Sequence, residues 1–187
     1  MCQPITARRA TLRIGAGLLV CTAALGTPAM PAGAETKILT VGRFGNFQYR
    51  TISAAVAAAD ADSNAKNYYD IQVAPGSYTN DFLVVTRPMT IEVDPRRAGN
   101  PVLLEATVSL PNQKGIILTF ASLTVDGLTF MGAMIDNSFG GNGAGIRDQN
   151  TAGGATLMVR NSVFANNQEG ILTGDDVGET IAVTNSK

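Results

Sequence analysis

The residues of this sequence that are best suited to chemistry are two adjacent acids near its C-terminal end. Asp175 and Asp176 follow Thr173–Gly174, and a third acid, Glu169, lies shortly before them. Paired carboxylates can work as a general acid and a general base, with one protonating a leaving oxygen while the other activates water. Acids beside glycine are also typical of polar turns between strands. A catalytic pair and a turn are therefore both compatible with these residues.

These acids lie in a region where one short phrase recurs. Similar stretches occupy Leu123–Phe130 (LTVDGLTF), Leu157–Phe164 (LMVRNSVF) and Ile181–Lys187 (IAVTNSK), at offsets of 34 and then 24 residues. The apolar residues alternate within each stretch, as they do in strands with one buried face. Strand-like units that repeat at such a period predict a solenoid rather than a globule with one closed core.

The position after each repeated strand is occupied by Gly127, Asn161 or Asn185. Glycine and asparagine enter the left-handed backbone region at least cost, so this column predicts a corner between two strands. One position earlier, alignment of the repeats stacks Asp126 over Arg160. Because neighbouring strands lie about 5 Å apart, we expect an exposed ion pair there.

The N-terminal half of the sequence predicts one helix among short strands. Thr51 is a suitable N-cap for the stretch ISAAVAAAD, whose apolar residues share one helical face. That face contains Ile52, Ala55, Val56 and Ala59. Strands are predicted at Ile38–Gly42, Asp70–Val73, Phe82–Val85, Met89–Val93, Val102–Leu104 and Gly115–Phe120. Pro75–Gly76 predicts a turn.

With these elements in place, the chain resembles the right-handed parallel β-helix of the pectin-lyase-like superfamily. The stretches TVGRFGNFQYRTISAAVAAAD and DIQVAPGSYTNDFLVV are similar to the beginning of many such proteins, including pectinesterases. The resemblance implies an all-β solenoid with an N-terminal capping helix, a cap at about 38–61 and coils at about 69–187. The last repeat stops before its final apolar position, so we expect a coil without a C-terminal cap whose free strand edge can self-associate.

The resemblance also implies a class of activity. Thr173–Asp176 looks like the Gly-Asp-Asp motif of polygalacturonases, and Gln168–Ile171 is similar to a motif of pectinesterases that contains an acid. A polysaccharide lyase, a glycoside hydrolase or a carbohydrate esterase is therefore implied. However, Ala152 stands where polygalacturonases carry an aspartate, and the sequence contains no histidine. We therefore expect that Asp175, Asp176 and Glu169 do not complete a catalytic set.

Calcium is the one cofactor that the resemblance implies, through the calcium-dependent lyases of the superfamily. Carboxylate oxygens would bind the ion, and a basic side chain would remove the proton beside the uronate carboxyl group. The residues available for these roles are Asp126, Asp148, Asp175 and Asp176 for the ion, and Arg147 or Arg160 for the proton. The sequence itself contains no cofactor motif, and the metal ligands stay unassigned.

The first 34 residues predict a cleaved secretory signal. Arg8, Arg9 and Arg13 precede the apolar run Ile14–Leu25, which is too short to span a bilayer, and small residues follow at Ala32–Ala34. The arginine pair fits a twin-arginine signal, and an ordinary export signal fits equally well. We therefore expect a periplasmic or secreted protein with one domain, residues 35–187.

The composition of this domain limits the classes of partner that it can bind. Beyond residue 34 the net charge is −4, and there is no basic cluster for a nucleic acid and no second long apolar stretch for a membrane. Both cysteines belong to the signal, and histidine and tryptophan are absent. These features exclude thiol chemistry and catalysis by histidine from the mature domain.

We therefore expect an exported β-helix domain, related to proteins that act on pectin or other uronates, with an acidic polysaccharide as partner. Two alternatives stay open. The domain is a non-catalytic glycan-binding or cell-surface module, or the chain is the N-terminal fragment of a longer β-helix protein without independent function.

Overall fold

A computed structural model of the chain describes residues 35–97, 99–136, 142–150, 153–174 and 178–187. These residues belong to one compact unit, Pro31–Lys187. The described part contains one α-helix, α1 (Ile52–Asp60), and a 3-10 turn at Pro95–Arg97. Its strands are β1 (Thr36–Val41), β2 (Tyr68–Val73), β3 (Gly76–Thr79), β4 (Leu83–Val85), β5 (Met89–Val93), β6 (Val102–Glu105), β7 (Gly115–Thr119), β8 (Leu123–Asp126), β9 (Leu128–Met131), β10 (Ala144–Asp148), β11 (Thr156–Arg160), β12 (Val163–Ala165), β13 (Glu169–Leu172) and β14 (Thr180–Thr184).

The strands form three parallel sheets. Sheet A has the order β1-β2-β5-β8-β11-β14, sheet B has the order β3-β6-β9-β12, and sheet C has the order β4-β7-β10-β13. From β2 onwards the chain enters sheets A, B and C in turn, so each strand from β2 to β11 pairs with the strand three places later. The predicted all-β fold with parallel strands is confirmed, and this arrangement is compatible with a parallel β-helix.

The register of sheet A follows the sequence repeats. Leu157 of β11 pairs with Leu123 of β8 on one side and with Ile181 of β14 on the other. The apolar side chains of β8 and β11 are buried, as the alternation predicts. In sheet B, Phe130 and Phe164 are stacked with their ring centroids 5.0 Å apart and their planes 10° apart. The first two copies of the repeated phrase therefore form a column of packed apolar residues in two sheets, whereas Ile181 and Val183 of the third copy are 43 % and 49 % exposed.

The predicted corner after each repeat of sheet A is confirmed. Gly127, Asn161 and Asn185 all adopt positive φ angles, of 77°, 49° and 50°. The Asn185 side chain donates to Oδ1 of Asn161 at 3.4 Å, which links two successive corners. Glycine and asparagine occupy these positions because other residue types would be strained in this backbone region.

The predicted ion pair beside this corner is wrong, although its two residues are neighbours. Asp126 and Arg160 face each other in the register of β8 and β11. Oδ1 of Asp126 instead accepts a hydrogen bond of 2.7 Å from the Asn161 side chain, whose left-handed backbone turns it towards that oxygen. The Arg160 guanidinium lies against Sδ of Met158, 3.7 Å away.

Helix α1 begins at the residue that the sequence predicts. Oγ1 of Thr51 accepts from the backbone nitrogen of Ala54 at 3.2 Å. The carboxylate of Asp81 accepts from the backbone nitrogens of Ile52 and Ser53, at 2.6 and 3.1 Å. The face that the sequence predicts to be apolar is buried against β1, β2 and β4. The helix is therefore anchored to the first strands of sheets A and C.

Two elements differ from the sequence prediction. The segment after Pro75 forms strand β3, rather than only a turn, and pairs with β6. Tyr78 of β3 is 3 % exposed, and its hydroxyl group donates to the carbonyl oxygen of Ala74 at 2.8 Å. The 3-10 turn at Pro95–Arg97 follows β5 and has no predicted counterpart. Both segments lie at the carboxyl ends of sheet A strands.

Candidate functional site

The paired acids Asp175 and Asp176 lie outside the described residues. Glu169 is described, and it begins β13 in sheet C, where it pairs with Ala144. Its Oε1 accepts from the Asn142 side chain at 3.4 Å, and its backbone nitrogen donates to Gly143 at 2.9 Å. Glu169 is therefore part of the connection between two strands of sheet C.

The acids considered for calcium are divided between two sheets. Asp126 ends β8 in sheet A, whereas Asp148 ends β10 in sheet C. Asp148 is 2 % exposed, and its Oδ1 accepts from the backbone nitrogen of Asn150 at 3.0 Å, which stabilises the turn after the strand. The two arginines are separated in the same way, with Arg160 in sheet A and Arg147 in sheet C. Within the described ranges, no group of three or more acidic, histidine or cysteine residues is arranged to hold a metal ion.

A polar surface does exist on sheet A, on the side opposite the core. Strands β2, β5, β8 and β11 bury one set of alternating residues and turn the other set away. We call this second set the outward face of sheet A. It consists of Asp70, Gln72, Thr90, Glu92, Thr124, Asp126, Met158 and Arg160. Gln72 and Met158 are buried, at 9 % and 6 % exposed, and the other six residues are half-buried. The register aligns these side chains in two rows that run across the strands at about 4.8 Å per step.

The outward face of sheet A is acidic and rich in hydrogen-bond acceptors. Oδ2 of Asp70 accepts from the Gln72 side chain at 2.9 Å, and Oδ1 of Asp70 is buried without a hydrogen-bond partner among the described residues. Glu92 lies in register between Gln72 and Asp126. Burial raises the pKa of Glu92, and the negative charges of Asp70 and Asp126 raise it further. Burial also raises the pKa of Asp70. These carboxylates are suited to accept hydrogen bonds from hydroxyl groups.

A second polar cluster, around Asp62, has a structural role. The hydroxyl group of Tyr69 and the side chain of Asn67 both donate to Oδ2 of Asp62, and Lys37 approaches the same oxygen at 2.9 Å. The backbone nitrogen of Asn64 donates to Oδ1 at 2.9 Å. These bonds, with that from Tyr69 first, hold the pKa of Asp62 well below its usual range. The cluster fastens the segment after α1 to strands β1 and β2.

The carboxyl ends of three neighbouring strands of sheet A enclose a different site. The segments after β1, β2 and β5 meet around Arg43 and Phe44, which line two adjoining cavities of about 300 and 480 Å³. We call these two cavities together the N-terminal cleft. Its other lining residues are Phe47, Arg50, Thr51, Ala74, Pro75, Gly76, Ser77, Tyr78, Thr79, Asp81 and Arg97. The volumes fall in the range of sites that bind small ligands.

The loop that carries Arg43 and Phe44 is held by several contacts. Nη1 of Arg50 donates to the carbonyl oxygens of Gly42, Arg43 and Gly45, at 3.2, 3.4 and 2.9 Å. The Phe47 ring fills the space beside Gly42, where a Cβ atom would lie 2.4 Å from the ring. Gly45 adopts a φ of 95°, which favours glycine. The loop thus has a defined shape, yet its Phe44 side chain is 86 % exposed.

Cations predominate in the N-terminal cleft. Arg43 donates to the carbonyl oxygen of Ser77 at 2.6 Å, and none of the carboxylates in the described residues forms an ion pair with it. Arg97 lies over the Phe47 ring, 5.1 Å from its centroid. Asp81, the one acid of the lining, is 8 % exposed and is bonded to the first turn of α1. The cleft therefore combines guanidinium groups with an exposed aromatic ring.

A buried acid positions the arginines on one side of the N-terminal cleft. Asp94 is 1 % exposed and binds Arg96 through Nε and Nη2, at 2.9 and 3.1 Å, while Nε of Arg97 lies 3.6 Å away. The hydrogen bond from Arg96 lowers the pKa of Asp94 from its usual value. One carboxylate thus faces two guanidinium groups, which leaves an excess of positive charge at this corner.

The N-terminal cleft is not predicted from the sequence. A signal was present in RFGNFQYR, where two arginines and three aromatic residues fall within eight positions. Arg97 could not be connected to this stretch from the sequence, because the pairing of β1, β2 and β5 brings the two segments together. The outward face of sheet A was identified only in part, through the alignment of Asp126 and Arg160.

Comparison with protein families, with curated proteins and with solved structures finds no significant match to this chain. Within the described residues, no helix has the length and apolar character needed to cross a membrane. The outward face of sheet A and the N-terminal cleft are therefore assigned a function from their geometry and charge.

Proposed function

We propose that this chain is an exported protein whose residues 35–187 form a right-handed parallel β-helix of the pectin-lyase-like type. The similarity of its N-terminal sequence to such proteins supports the fold, as do three parallel sheets that the chain enters in turn. The basic residues and apolar run at the N-terminus support export to the periplasm or the medium.

We propose further that this domain binds a glycan along the outward face of sheet A. The observation that carries this proposal is the pair of polar rows across β2, β5, β8 and β11. They present hydroxyl and carboxylate groups at a constant spacing of about 4.8 Å, which suits a ligand made of repeating units. Glu92 and Asp126, which are half-buried, offer carboxylate oxygens to sugar hydroxyl groups.

The roles of the described candidate acids favour binding over catalysis. The carboxylate of Asp148 stabilises a turn, and that of Glu169 contacts the preceding connection in sheet C. Asp126 is held by the Asn161 side chain at the corner after β8. Neither Asp148 nor Glu169 lies on the outward face of sheet A, so they do not supply this surface with an acid and base.

The charge of the outward face determines which part of a glycan it suits. Asp70, Glu92 and Asp126 are opposed by one arginine, Arg160. Carboxylates bond well to neutral sugar hydroxyl groups and repel acidic sugar units. If the partner is an acidic polysaccharide, its uncharged stretches should therefore lie on this face and its anionic groups elsewhere.

The test is retention of the full chain on immobilised glycans, both neutral and acidic, as a function of glycan concentration. Glu92→Ala should weaken retention about tenfold, because charge-assisted hydrogen bonds to hydroxyl groups are lost. Glu105→Ala is the matched control, since Glu105 is also a partly exposed strand glutamate but belongs to sheet B. Equal retention of both variants would contradict the proposed face.

Catalysis is tested in parallel. Polygalacturonate with calcium is incubated with the protein, and unsaturated product is followed by its ultraviolet absorbance; release of methanol from esterified pectin is measured separately. We expect no product in either assay while binding is retained. Turnover in either one would replace the binding proposal with a lyase or an esterase.

A further inference from the structure

The N-terminal cleft is a second surface of this protein with the features of a binding site. We propose that it binds the anionic substituent of a sugar, a carboxylate, phosphate or sulfate group, with the sugar ring lying against Phe44. The anion site follows from the contacts of the cleft itself. Only the identification of its ligand as a sugar rests on the proposed glycan-binding function.

The charge of the cleft favours an anion. Arg43, Arg50 and Arg97 line it, and Asp81 is the one acid among its lining residues. Both oxygens of Asp81 accept bonds from the first turn of α1, so much of its charge is already compensated. Within the described residues, the guanidinium group of Arg43 donates one hydrogen bond, to the carbonyl oxygen of Ser77, and it has further donors for an oxyanion.

The second feature that favours a ligand is an aromatic ring exposed to solvent. Phe44 is 86 % exposed, the highest value among the exposed large apolar side chains of the described residues. Burying such a ring against a ligand releases about 25 cal/mol per Å² of apolar surface. The bonds of Arg50 and the packing of Phe47 fix the loop, so little backbone entropy is lost when a ligand covers Phe44. A ring with an apolar CH face and an anionic substituent matches these groups.

The position of the cleft also supports a role in binding. It lies at the carboxyl ends of β1, β2 and β5, and the outward face of sheet A begins on two of these strands. Arg97 is oriented by Asp94, which is buried and bonded to Arg96. The cationic groups are thus positioned before a ligand arrives, which reduces the entropy lost on binding.

The experiment measures binding to the full chain by titration calorimetry at low and at high salt. The probes are an oligogalacturonate, a sugar phosphate, a neutral oligosaccharide of the same length, and acetate as a simple anion. We expect at least one anionic sugar to bind about tenfold more tightly than the neutral sugar and acetate, with an affinity that falls as salt rises. The oligogalacturonate and the sugar phosphate distinguish a carboxylate site from a phosphate site.

Two variants and two matched controls assign the site. Arg43→Gln should weaken binding of the anionic sugar about tenfold, and Phe44→Ala about fivefold. The controls are Lys66→Gln, an exposed cation that lies neither in the cleft nor on the outward face of sheet A, and Phe120→Ala, a phenylalanine that is 44 % exposed outside the cleft. Both controls should keep the affinity of the unmodified protein. If Arg43→Gln unfolds the protein, Arg97→Gln provides the same test with another arginine of the cleft lining.

The inference is overturned if the anionic sugars bind no more tightly than the neutral sugar, or if Lys66→Gln weakens binding as much as Arg43→Gln. Equal affinity for acetate and the anionic sugars would overturn the sugar part of it. Failure of the proposed function looks different: neutral glycans would not bind, and Glu92→Ala would have no effect, while the anionic sugar would still depend on Arg43.

Discussion

Replacement of Asp81 tests how the N-terminal helix is joined to the strands. Oδ2 of its carboxylate accepts from the buried backbone nitrogen of Ile52 at 2.6 Å, and Oδ1 accepts from that of Ser53 at 3.1 Å. The first nitrogens of a helix have no partner inside the helix, so these donors depend on groups from outside. Oγ1 of Thr51 satisfies a third donor, the nitrogen of Ala54. Two of the three bonds at this helix end therefore come from one side chain.

The expected loss of stability on replacing Asp81 follows from these hydrogen bonds. A hydrogen bond to a charged group contributes about 1.5–3 kcal/mol, and a favourable charge at a helix N-terminus adds about 0.3–1 kcal/mol. Because solvent can reach the Ser53 end of the site, we expect Asp81→Ala to lower the free energy of unfolding by about 3 kcal/mol. Asp81→Asn keeps one acceptor oxygen and should lose roughly half as much. Thr51→Ala should lose about 1 kcal/mol.

The assay is urea denaturation of the full chain and of each variant, followed by circular dichroism, with the slope against denaturant required to stay constant. A loss of about 3 kcal/mol corresponds to roughly 6–12 °C in Tm for a chain of this size. The order Asp81→Ala, then Asp81→Asn, then Thr51→Ala is the essential result. If Asp81→Ala stays within about 0.5 kcal/mol of the unmodified protein, the carboxylate does not anchor the helix and this reasoning is refuted.

Three further predictions concern the core, the corner and the outward face. Phe130→Ala should lower stability by about 3–5 kcal/mol in denaturation, because its fully buried ring leaves a cavity; a loss below about 1 kcal/mol would contradict the stacked core. Asn161→Ala should lower stability by about 1–2 kcal/mol because its φ is 49°, and Asn161→Gly should recover most of that loss if backbone strain is the cause. Burial and the charges of Asp70 and Asp126 raise the pKa of Glu92 in the folded state above its value in the unfolded chain. Protonated Glu92 therefore contributes to the free energy of unfolding below the unfolded pKa, and this contribution is lost as pH rises through the folded pKa. Glu92→Gln should therefore stabilise the protein at pH 7, by an amount that shrinks towards about pH 4; an advantage that is constant with pH would exclude this explanation.

The parts of the fold that could be predicted are those encoded by local patterns. Helix α1 was predicted from its N-cap and its apolar face, because both depend on residues within one segment. The corner at Asn161 was predicted because few residue types adopt its backbone conformation. The alignment of Leu157 with Leu123 and Ile181 was predicted because parallel strands of a repeat stack in register. In each case the physical cause acts over a short stretch or over an exact repetition.

The predicted ion pair of Asp126 and Arg160 shows that an alignment of repeats does not determine side-chain contacts. The repeat alignment places the two residues side by side, and the register confirms that placement. Side-chain partners depend also on rotamers and on competing donors. Here the side-chain amide of Asn161, rather than the Arg160 guanidinium group, donates to the Asp126 carboxylate. The alignment therefore predicted the neighbouring backbone positions correctly and the bond between their side chains incorrectly.

The N-terminal cleft was missed for a different reason. Arg43 and Arg97 are far apart in sequence, and no repeat or periodic pattern connects them. They share a cavity because β1, β2 and β5 are neighbours in sheet A and the chain leaves each strand at the same edge. Parallel pairing thus brings together residues from three separate segments, which sequence patterns within one segment do not reveal.

The two proposed surfaces are complementary in charge, and this suggests how one ligand would use both. The outward face carries Asp70, Glu92 and Asp126, whereas the N-terminal cleft carries Arg43 and Arg97 at the ends of the adjoining strands. An acidic sugar unit on the outward face would meet like charges, and the same unit in the cleft would meet opposite ones. A glycan with both neutral and anionic units would therefore bind in one preferred position, with an anionic unit in the cleft. Raising the salt concentration should weaken this preference while leaving contacts of neutral units with Glu92 largely intact.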